Sequence, residues 1–467
     1  MSLIFVGAGG SGVSALVQLM IDLHITDLVC IDSSESEAMK IFKNFWVITH
    51  IGHGIYLPQQ GDLVIYSAAT ATSPEVLQAF QHTFADHLSP PPMLYAEFLW
   101  ELSKYMYTFA VSGTHGKSTT TGMAAIACIE HIPDSALAIV GAGVTQRQGK
   151  HCRYNHDHYE ALRDIVLRII SRKATALHIP LKKLLFIIEA DEFNHHFLFL
   201  EPDVSIITSL DHDHVDIYPT RETYLQAFDQ FCTNTKERII TLPWIAIELP
   251  THTDKITIPV QNVFAFTHLV WGHNHANAWL ALAGCFFVAQ HFGRDKQANL
   301  QGSIEQFQWL KRRVELLWTN THWVPIFSDY GHHPDEIKST LAAFTEKYPN
   351  SHITCFFEAH QARRLLTFRD EFVAAFEWVA CIVVPPYTAR EDIATIQAYR
   401  KELPADGSLP KQISSFADIA TVFATQVAGK NMDDRSALQS TLDEVRAWSI
   451  LCFSAWVLDS KLRACIT

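Results

Sequence analysis

Short apolar runs alternate along the chain with longer stretches in which apolar and polar residues are mixed. Leu3 to Val6, Val29 to Ile31 and Leu63 to Tyr66 are three such runs near the N-terminus, and the segment Val13 to Leu23 has the length and spacing of a helix. Continuous apolar runs of this length are typical of strands buried on both faces of a parallel sheet. The alternation of such runs with helical segments predicts an α/β fold.

The same pattern continues to the C-terminus and restarts near Ile304. Later apolar runs are Phe109 to Val111, Leu184 to Ile188, Val204 to Thr208, Val324 to Ser328, Ile353 to Phe357, Ala380 to Val384 and Ile450 to Phe453. A chain of 467 residues is too long for one hydrophobic core. We expect an N-terminal Rossmann-like domain over residues 1–106, a central P-loop ATPase-like domain with a parallel or mixed sheet over 107–304, and a C-terminal Rossmann-like domain over 305–467.

The composition limits the kinds of molecule that this protein is expected to bind. The net charge is −13, from 36 basic and 49 acidic residues, which argues against a nucleic-acid-binding protein. The nine cysteines are scattered without a C-x-x-C pair, as in a cytoplasmic protein with reduced thiols. The N-terminus runs directly into a strand, and no apolar stretch reaches membrane-spanning length. We expect a cytoplasmic protein that binds small molecules and neither nucleic acid nor membrane.

The strongest chemical signal follows the apolar run that ends at Val111. Residues 112–119 read Ser-Gly-Thr-His-Gly-Lys-Ser-Thr and precede a helix-like segment. Gly113 and Gly116 let backbone N–H groups turn toward an anion, Lys117 can reach terminal phosphates, and the Ser118 hydroxyl can bind Mg²⁺. Val111 stands where the usual nucleotide loop has its first glycine. The strand and helix on either side still favour a phosphate loop over a polar turn.

Acidic residues follow two further core strands. The run Leu184 to Ile188 ends in Glu189-Ala190-Asp191-Glu192, and three carboxyl groups so close together repel one another unless a cation lies among them. The next strand leads to a cluster over residues 211–216 that contains His214. A zinc site there is an alternative that the spacing does not support, and a polar loop with capping aspartates is another.

A glycine-rich loop follows the first strand. It reads Gly-Ala-Gly-Gly-Ser-Gly over residues 7–12, and Asp32 comes 20 residues after the last glycine. This pattern is typical of a dinucleotide-binding unit, but it fits a nucleotide-sugar diphosphate equally well. A nicotinamide-dependent oxidoreductase is therefore an alternative, although it gives the phosphate loop and Glu189 no role. Ser67 begins a small-residue loop after another strand, where open α/β sheets bind ligands.

The ordered set of motifs resembles the Mur ligases of bacterial peptidoglycan synthesis, and within them the branch that adds L-alanine. The resemblance covers nearly the whole chain. The matching blocks are Gly7 to Ser14, Ser67 to Pro74, Ala96-Glu97, Gly113 to Thr121, Glu189 to Glu192, Asp213 to Asp216, His273-Asn274 with Asn277, Lys311 to Arg313, Asp329 to Glu336, and Tyr387 to Glu391. The alternative within the family is a recycling ligase that adds a tripeptide. The Gly-Gly-Ser-Gly loop and the Tyr330-Gly331 pair favour the alanine-adding branch.

The resemblance implies an ATP-dependent ligase that joins L-alanine to the lactyl carboxylate of UDP-N-acetylmuramate through an acyl phosphate, with Mg²⁺ or Mn²⁺, as a monomer or homodimer. The implied catalytic residues are Lys117, Glu189 and His214, and the implied metal ligands are Ser118, Glu189 and His214. The implied ATP-binding residues are Gly113, Thr114, Gly116, Lys117, Ser118, Thr119, His273, Asn274, Arg313 and Asp329. The implied UDP-sugar-binding residues are Gly7, Gly9, Gly10, Ser11, Gly12, Asp32 and Ser67. The residues implied for the amino acid are His332, His360 and Arg364.

Four positions depart from the family pattern. Tyr95 replaces the arginine that usually adjoins the Ala-Glu pair, and Phe453 stands in place of the first residue of a Gly-Ala-Gly loop. Gln361 and Ala362 replace an Arg-Tyr pair in the segment associated with the incoming amino acid. Residues 155–183 read as an inserted helical segment to which the sequence assigns no function.

Overall fold

A computed structural model gives the architecture of the chain. It describes residues 2–86, 89–132, 135–144, 150–154, 158–172, 183–215, 217–245, 254–257, 272–294, 299–307, 314–347, 353–358, 368–377, 379–384, 442, 449–454 and 462–463. Within those ranges, no helix is both long enough and apolar enough to cross a bilayer.

The N-terminal sheet is doubly wound. Its strands are β1 (Leu3–Val6), β2 (Leu28–Asp32), β3 (Ile48–Ile51), β4 (Leu63–Tyr66) and β5 (Met93–Leu94), and its helices are α1 (Ser11–Asp22), α2 (Glu37–Lys43), α3 (Pro74–Asp86) and α4 (Tyr95–Ser103). All pairings are parallel, in the order β3-β2-β1-β4-β5. Strand order reverses between β1 and β4, and a crevice for ligands opens at the carboxyl ends of the strands at such a point.

The second sheet carries the phosphate loop. Its strands are β6 (Tyr107–Ser112), β7 (Ser135–Val144), β8 (Lys150–Tyr154), β9 (Leu185–Glu189), β10 (Val204–Ile207), β11 (Arg238–Thr241) and β12 (Asp254–Thr257). The order is β12-β11-β10-β6-β9-β7-β8, and only β8 runs antiparallel to its neighbour. Strand β6 is buried along its whole length between β9 and β10. The acidic strand tip of β9 and the loop after β10 therefore lie on either side of the phosphate loop.

Within the described residues, five helices and one short 3₁₀ segment accompany the second sheet. They are α5 (Lys117–His131), α6 (Tyr159–Ser171), the 3₁₀ segment Phe193–Phe199, α7 (Arg221–Asn234), α8 (Gly272–His291) and α9 (Leu300–Glu305). Helix α6 confirms the helical character predicted for part of the inserted segment. The β7–β8 pair was not predicted from the sequence.

The third sheet is again mixed. Its strands are β13 (Glu315–Thr319), β14 (Pro325–Asp329), β15 (Ile353–Glu358), β16 (Ala380–Val384) and β17 (Ser449–Ser454), and its helices include α10 (Pro334–Lys347) and α11 (Arg369–Phe376). The order is β13-β14-β17-β15-β16, with only β13 antiparallel. Part of its core forms between the helices and the sheet, from residues such as Ile337, Phe344, Phe357, Phe376 and Phe453. The α/β class with three sheets is confirmed.

The chain divides into two compact units. Residues 1–269 and 274–308 form the first, which contains the first two sheets, and residues 270–273 and 309–467 form the second. The three domain limits drawn from the sequence stay predictions.

Candidate functional site

The phosphate loop connects β6 to α5 through two glycines that no other residue can replace without strain. Gly113 and Gly116 have φ angles of +130° and +84°, in the region that side chains with a Cβ rarely adopt. A Cβ on Gly113 would lie 2.8 Å from Ser209 N, and a Cβ on Gly116 would lie 2.6 Å from Asn277 Oδ1. The loop therefore closes against β10 on one side and α8 on the other.

Lys117 points back across this loop. Its ammonium group donates to the carbonyl oxygens of Gly113 at 2.7 Å and Thr114 at 3.2 Å, and it pairs with the Glu192 carboxylate at 2.9 and 3.0 Å. Burial alone would lower the pKa of Lys117, but Glu192, Asp191 and Glu189 outweigh it and raise that pKa. The lysine is therefore held as a cation at the place where terminal phosphates meet a phosphate loop.

Glu192 is the buried counter-charge of this site. Its side chain is fully inaccessible to solvent, and it lies 3.6 Å from His214 Nε2 as well as against Lys117. Burial opposes its ionisation, yet Lys117 and His214 together hold the pKa of Glu192 below its ordinary value. The sequence placed Glu192 in an acidic cluster but gave it no separate role. Only the fold shows that Lys117 reaches it from 75 residues away.

Glu189 occupies the tip of β9 beside the first turn of α5. One carboxylate oxygen accepts a hydrogen bond from Ser118 Oγ at 2.9 Å and the other accepts from Gly141 N at 2.6 Å. Desolvation is the largest influence and raises the pKa of Glu189 in spite of Lys117 and these hydrogen bonds. Ser118 and Glu189, two of the three predicted metal ligands, are therefore in direct contact.

His214 lies against the same acidic cluster. It has a left-handed φ of +53°, and Asp213 accepts a hydrogen bond from its backbone N at 2.7 Å. Ligand atoms of Asp191, Glu192 and His214 all lie within 4.8 Å of one another. Carboxylate and hydroxyl oxygens are the donors that Mg²⁺ prefers, and several carboxylates in one place favour a cation. The residues present therefore fit a divalent cation, with Asp191 and Glu192, members of the acidic cluster noted in the sequence, as neighbours.

Thr114 and Thr119 of the phosphate loop are both buried in the fold. The Thr114 hydroxyl contacts Asp211 O at 2.6 Å and the Tyr224 hydroxyl at 2.7 Å, and Thr119 is buried in the first turn of α5.

Helix α8 contributes an amide to the phosphate loop. Asn274 and Asn277 lie inside the helix, which begins at Gly272. Asn277 is buried, its Oδ1 faces Gly116, and its Nδ2 lies 3.3 Å from Asn274 Oδ1. The His273 side chain lies outside the described residues.

The predicted UDP-sugar residues converge at the switch point of the first sheet. Gly7, with φ of +81°, packs on Ser67, whose Oγ would lie 2.5 Å from an added Cβ. Asp32 Oδ2 accepts a hydrogen bond from Gly9 N at 2.8 Å, so Asp32 stabilises the backbone of the glycine loop. Gly10, Ser11 and Gly12 form the start of α1. The ends of β1 and β4 thus bring small residues together at the switch point.

In the second unit, Asp329 ends β14 and holds its neighbouring loops. Its two carboxylate oxygens accept hydrogen bonds from Gly331 N at 2.7 Å and Val314 N at 2.9 Å. His332 Nδ1 lies 3.1 Å from Tyr330 O and 3.5 Å from Glu336. Arg313, His360 and Arg364 lie outside the described residues, so their predicted roles stay predictions.

Comparison with known proteins places these motifs in a family. Residues 111–248 match the Mur ligase middle domain model. A UDP-N-acetylmuramate–L-alanine ligase of Sulfurihydrogenibium is 26% identical over 419 residues, which is 83% of each chain. The enzyme of that name from Aquifex aeolicus is 26% identical over 422 residues, 83% of this chain and 84% of its own.

Two solved structures share the fold along the whole chain. A UDP-N-acetylmuramate–alanine ligase from Thermotoga maritima has a TM-score of 0.66 at 18% identity and covers 100% of this chain and 98% of its own. A murein peptide ligase from Psychrobacter arcticus has a TM-score of 0.59 at 16% identity with the same coverage. At these identities the structures support the fold alone. Together with the family model and the aligned relatives, they confirm the resemblance to the Mur ligases seen in the motifs, and residues 111–248 of this chain match a Mur ligase middle domain.

Proposed function

We propose that this chain is an ATP-dependent ligase that joins L-alanine to the lactyl carboxylate of UDP-N-acetylmuramate in peptidoglycan precursor synthesis. The observation that carries the proposal is the convergence of Lys117, Glu189 and His214 on one acidic cluster beside the phosphate loop. Such a site suits a reaction that must bring several anions together. The curated relatives that bear this activity by name align over about four-fifths of the chain.

The protein contributes mostly positioning and charge neutralisation to such a reaction. The substrate carboxylate attacks the γ-phosphorus of ATP, ADP leaves, and an acyl phosphate forms. The amine of L-alanine then attacks the acyl carbon, and inorganic phosphate leaves. Lys117 exchanges its two loop carbonyls for phosphate oxygens when ATP binds, and Glu192 keeps the ammonium group in place during that exchange.

Ser118, Glu189 and His214 are the residues that would hold Mg²⁺ or Mn²⁺, which would neutralise charge on the phosphate oxygens during transfer. Asn274 and His273, at the start of α8, are proposed contacts of the nucleotide. Arg313 and Asp329 are proposed to reach phosphate and ribose, and His332, His360 and Arg364 are proposed for the amino acid.

The crevice between β1 and β4 is the proposed site of the UDP group. Gly7, Gly9, Gly10, Ser11 and Gly12 would approach the diphosphate, with Ser67 on the facing loop. Asp32 accepts a hydrogen bond from Gly9 and so stabilises the shape of this loop. This contact does not restrict which diphosphate the loop could bind. We place the enzyme in the cytoplasm because its reaction consumes ATP.

The acceptor amino acid is the part of the proposal that most needs a direct test. Phosphate release would be measured with ATP, Mg²⁺ and UDP-N-acetylmuramate, while L-alanine, L-serine, glycine and the tripeptide L-alanyl-γ-D-glutamyl-meso-diaminopimelate are supplied one at a time. We expect the highest kcat/KM with L-alanine. Turnover with the tripeptide alone would assign the recycling reaction instead, and NADH binding without any ligase turnover would favour the oxidoreductase alternative.

A further inference from the structure

Tyr95 is placed between the glycine loop and the acidic cluster. It is the first residue of α4, and its ring packs so closely on Gly12 that a Cβ there would lie 2.7 Å from Tyr95 Cε2. Its hydroxyl lies 3.3 Å from His196 Nδ1, and the two rings meet edge to face with centroids 5.2 Å apart. One side chain thus links the proposed sugar-nucleotide loop to the segment that follows Glu192.

The hydroxyl of Tyr95 can donate in this contact, in which the direction depends on the tautomer of His196. Burial, with smaller contributions from Asp191 and Glu189, raises the pKa of Tyr95, so its hydroxyl keeps its proton. Burial likewise lowers the pKa of His196, which keeps the imidazole neutral. If the Tyr95 O–H donates to Nδ1, the single imidazole proton is on Nε2. His196 then presents an N–H donor on its far side.

That donor lacks a partner within the part of the chain that the structure describes. His196 is only 8% exposed, and its Nε2 is buried and makes no hydrogen bond to any described residue. A buried polar atom left without a partner costs about 1–3 kcal/mol, and nearly all such atoms in folded proteins are paired. The missing partner of an N–H donor is an acceptor oxygen.

The backbone before His196 is also strained. Asn194 and His195 have left-handed φ angles of +52° and +58° in succession, and such conformations cost about 1 kcal/mol or more for each residue that is not glycine. Hydrogen bonds from His195 N to Glu192 O and from Phe197 N to Asp191 O hold the turn, at 3.0 Å each. Strain that the surroundings enforce is concentrated at ligand-binding sites.

We propose that Tyr95 holds His196 in the neutral tautomer whose Nε2–H binds the carboxylate of the acyl group on the sugar nucleotide and orients it toward the Lys117 cluster. The inference rests on the proposed function, because it concerns the same substrate. A neutral donor holds a carboxylate in place without the full charge neutralisation that would weaken it as a nucleophile. The pair selects for a carboxylate-bearing sugar nucleotide and contributes little to binding of the uridine diphosphate.

Binding of two sugar nucleotides measured by calorimetry tests this selectivity. UDP-N-acetylmuramate carries the carboxylate, and UDP-N-acetylglucosamine is the same molecule without the lactyl group. We expect His196→Leu to weaken binding of the first about 10-fold, the usual effect of losing a hydrogen bond to a charged group. Tyr95→Phe should weaken it to a similar extent, because it no longer holds the imidazole proton of His196 on Nε2. Binding of the second should not change. His196→Gln, which restores an N–H near the Nε2 position, should recover part of the loss.

Steady-state kinetics separate this role from a purely structural one. Tyr95→Phe should raise the KM for UDP-N-acetylmuramate about 10-fold and leave the KM for ATP unchanged. Tyr159→Phe is the matched control, because its hydroxyl donates to Leu23 O at 3.0 Å and it belongs to none of the proposed sites. This control should behave as the wild type.

Two results would overturn the inference by different routes. The inference fails if Tyr95→Phe and His196→Leu keep the wild-type preference for UDP-N-acetylmuramate, or if they weaken binding of both sugar nucleotides equally. In either case the pair does not recognise the carboxylate. If the wild-type protein binds neither sugar nucleotide and releases no phosphate, the proposed function itself fails.

Discussion

Glu189 and Glu192 are three residues apart, yet the fold gives their carboxylates opposite environments. Lys117 and His214 lower the pKa of Glu192, whereas desolvation raises that of Glu189. A carboxyl group with a raised folded-state pKa stabilises the fold below its ordinary pKa, and that contribution is lost as pH rises through the folded value. At neutral pH, ionised Glu189 therefore destabilises the protein in the absence of a cation.

Replacing Glu189 by Gln should stabilise the ligand-free protein while removing its activity. The amide can accept from Gly141 N and donate to Ser118 Oγ, so both hydrogen bonds survive without the charge. We expect a Tm about 2 °C above that of the wild type at pH 7 in EDTA, a gain that disappears toward pH 4. Thermal melts at several pH values would measure it.

The matched control is Glu192→Gln, for which the expected change in stability at pH 7 has the opposite sign. A lowered pKa contributes stability above the ordinary pKa of glutamate, and this is lost as pH falls through the folded value. Removing the charge leaves Lys117 buried without its partner, which costs about 3 kcal/mol or more. The Tm of this variant should therefore be below that of the wild type at pH 7, and the two values should converge at acid pH. Destabilisation by Glu189→Gln at pH 7 would contradict the assigned environments.

At the scale of the element, the phosphate loop is a strand–turn–helix unit whose shape depends on contacts from other elements. Strand β6 and helix α5 were predicted from apolar periodicity and the glycine-lysine signature, because both signals are local. The packing of Asn277 of α8 against Gly116 is not local, since 161 residues separate the two positions. No pattern within either segment indicates that contact.

Gly116→Ala should damage the loop more than backbone strain alone explains. Its new Cβ would meet Oδ1 of the buried Asn277 at 2.6 Å, so that side chain must move away from the loop. Gly61→Ala is a matched control, because Gly61 has φ of +85° against +84° for Gly116 and no atom lies within 4 Å of its added Cβ. We expect Gly61→Ala to cost about 1 kcal/mol in chemical denaturation and to bind ATP normally.

Gly116→Ala should lose at least about 10-fold in ATP affinity, measured by calorimetry, in addition to its loss of stability. Equal behaviour of the two variants in both measurements would mean that the contact with α8 does not shape the loop.

At the scale of the whole molecule, the glycine loop and the phosphate loop lie at strand ends of the first and second sheets. The sequence predicted the α/β class, the core strands around the glycine loop and the phosphate loop, and the family. It did not predict the β7–β8 pair, nor β13, whose residues are all at least partly exposed and so give a weak apolar signal. Nor did it indicate that Tyr95 contacts His196 or that Lys117 pairs with Glu192, because side-chain contacts between distant segments depend on the tertiary fold. Positions such as Arg313 and His360 stay predictions.

The central claim is that Lys117 acts on phosphate and does more than balance the buried charge of Glu192. Phosphate release with ATP, Mg²⁺, UDP-N-acetylmuramate and L-alanine should be compared in the wild type, Lys117→Met, Glu192→Gln and the double variant, each with its thermal melt. The double variant removes both charges, so it should regain stability relative to Lys117→Met. We predict that Lys117→Met and the double variant both lose at least about 100-fold in kcat/KM, whereas Glu192→Gln keeps measurable activity. Restored turnover in the double variant, which lacks the lysine, would contradict the account.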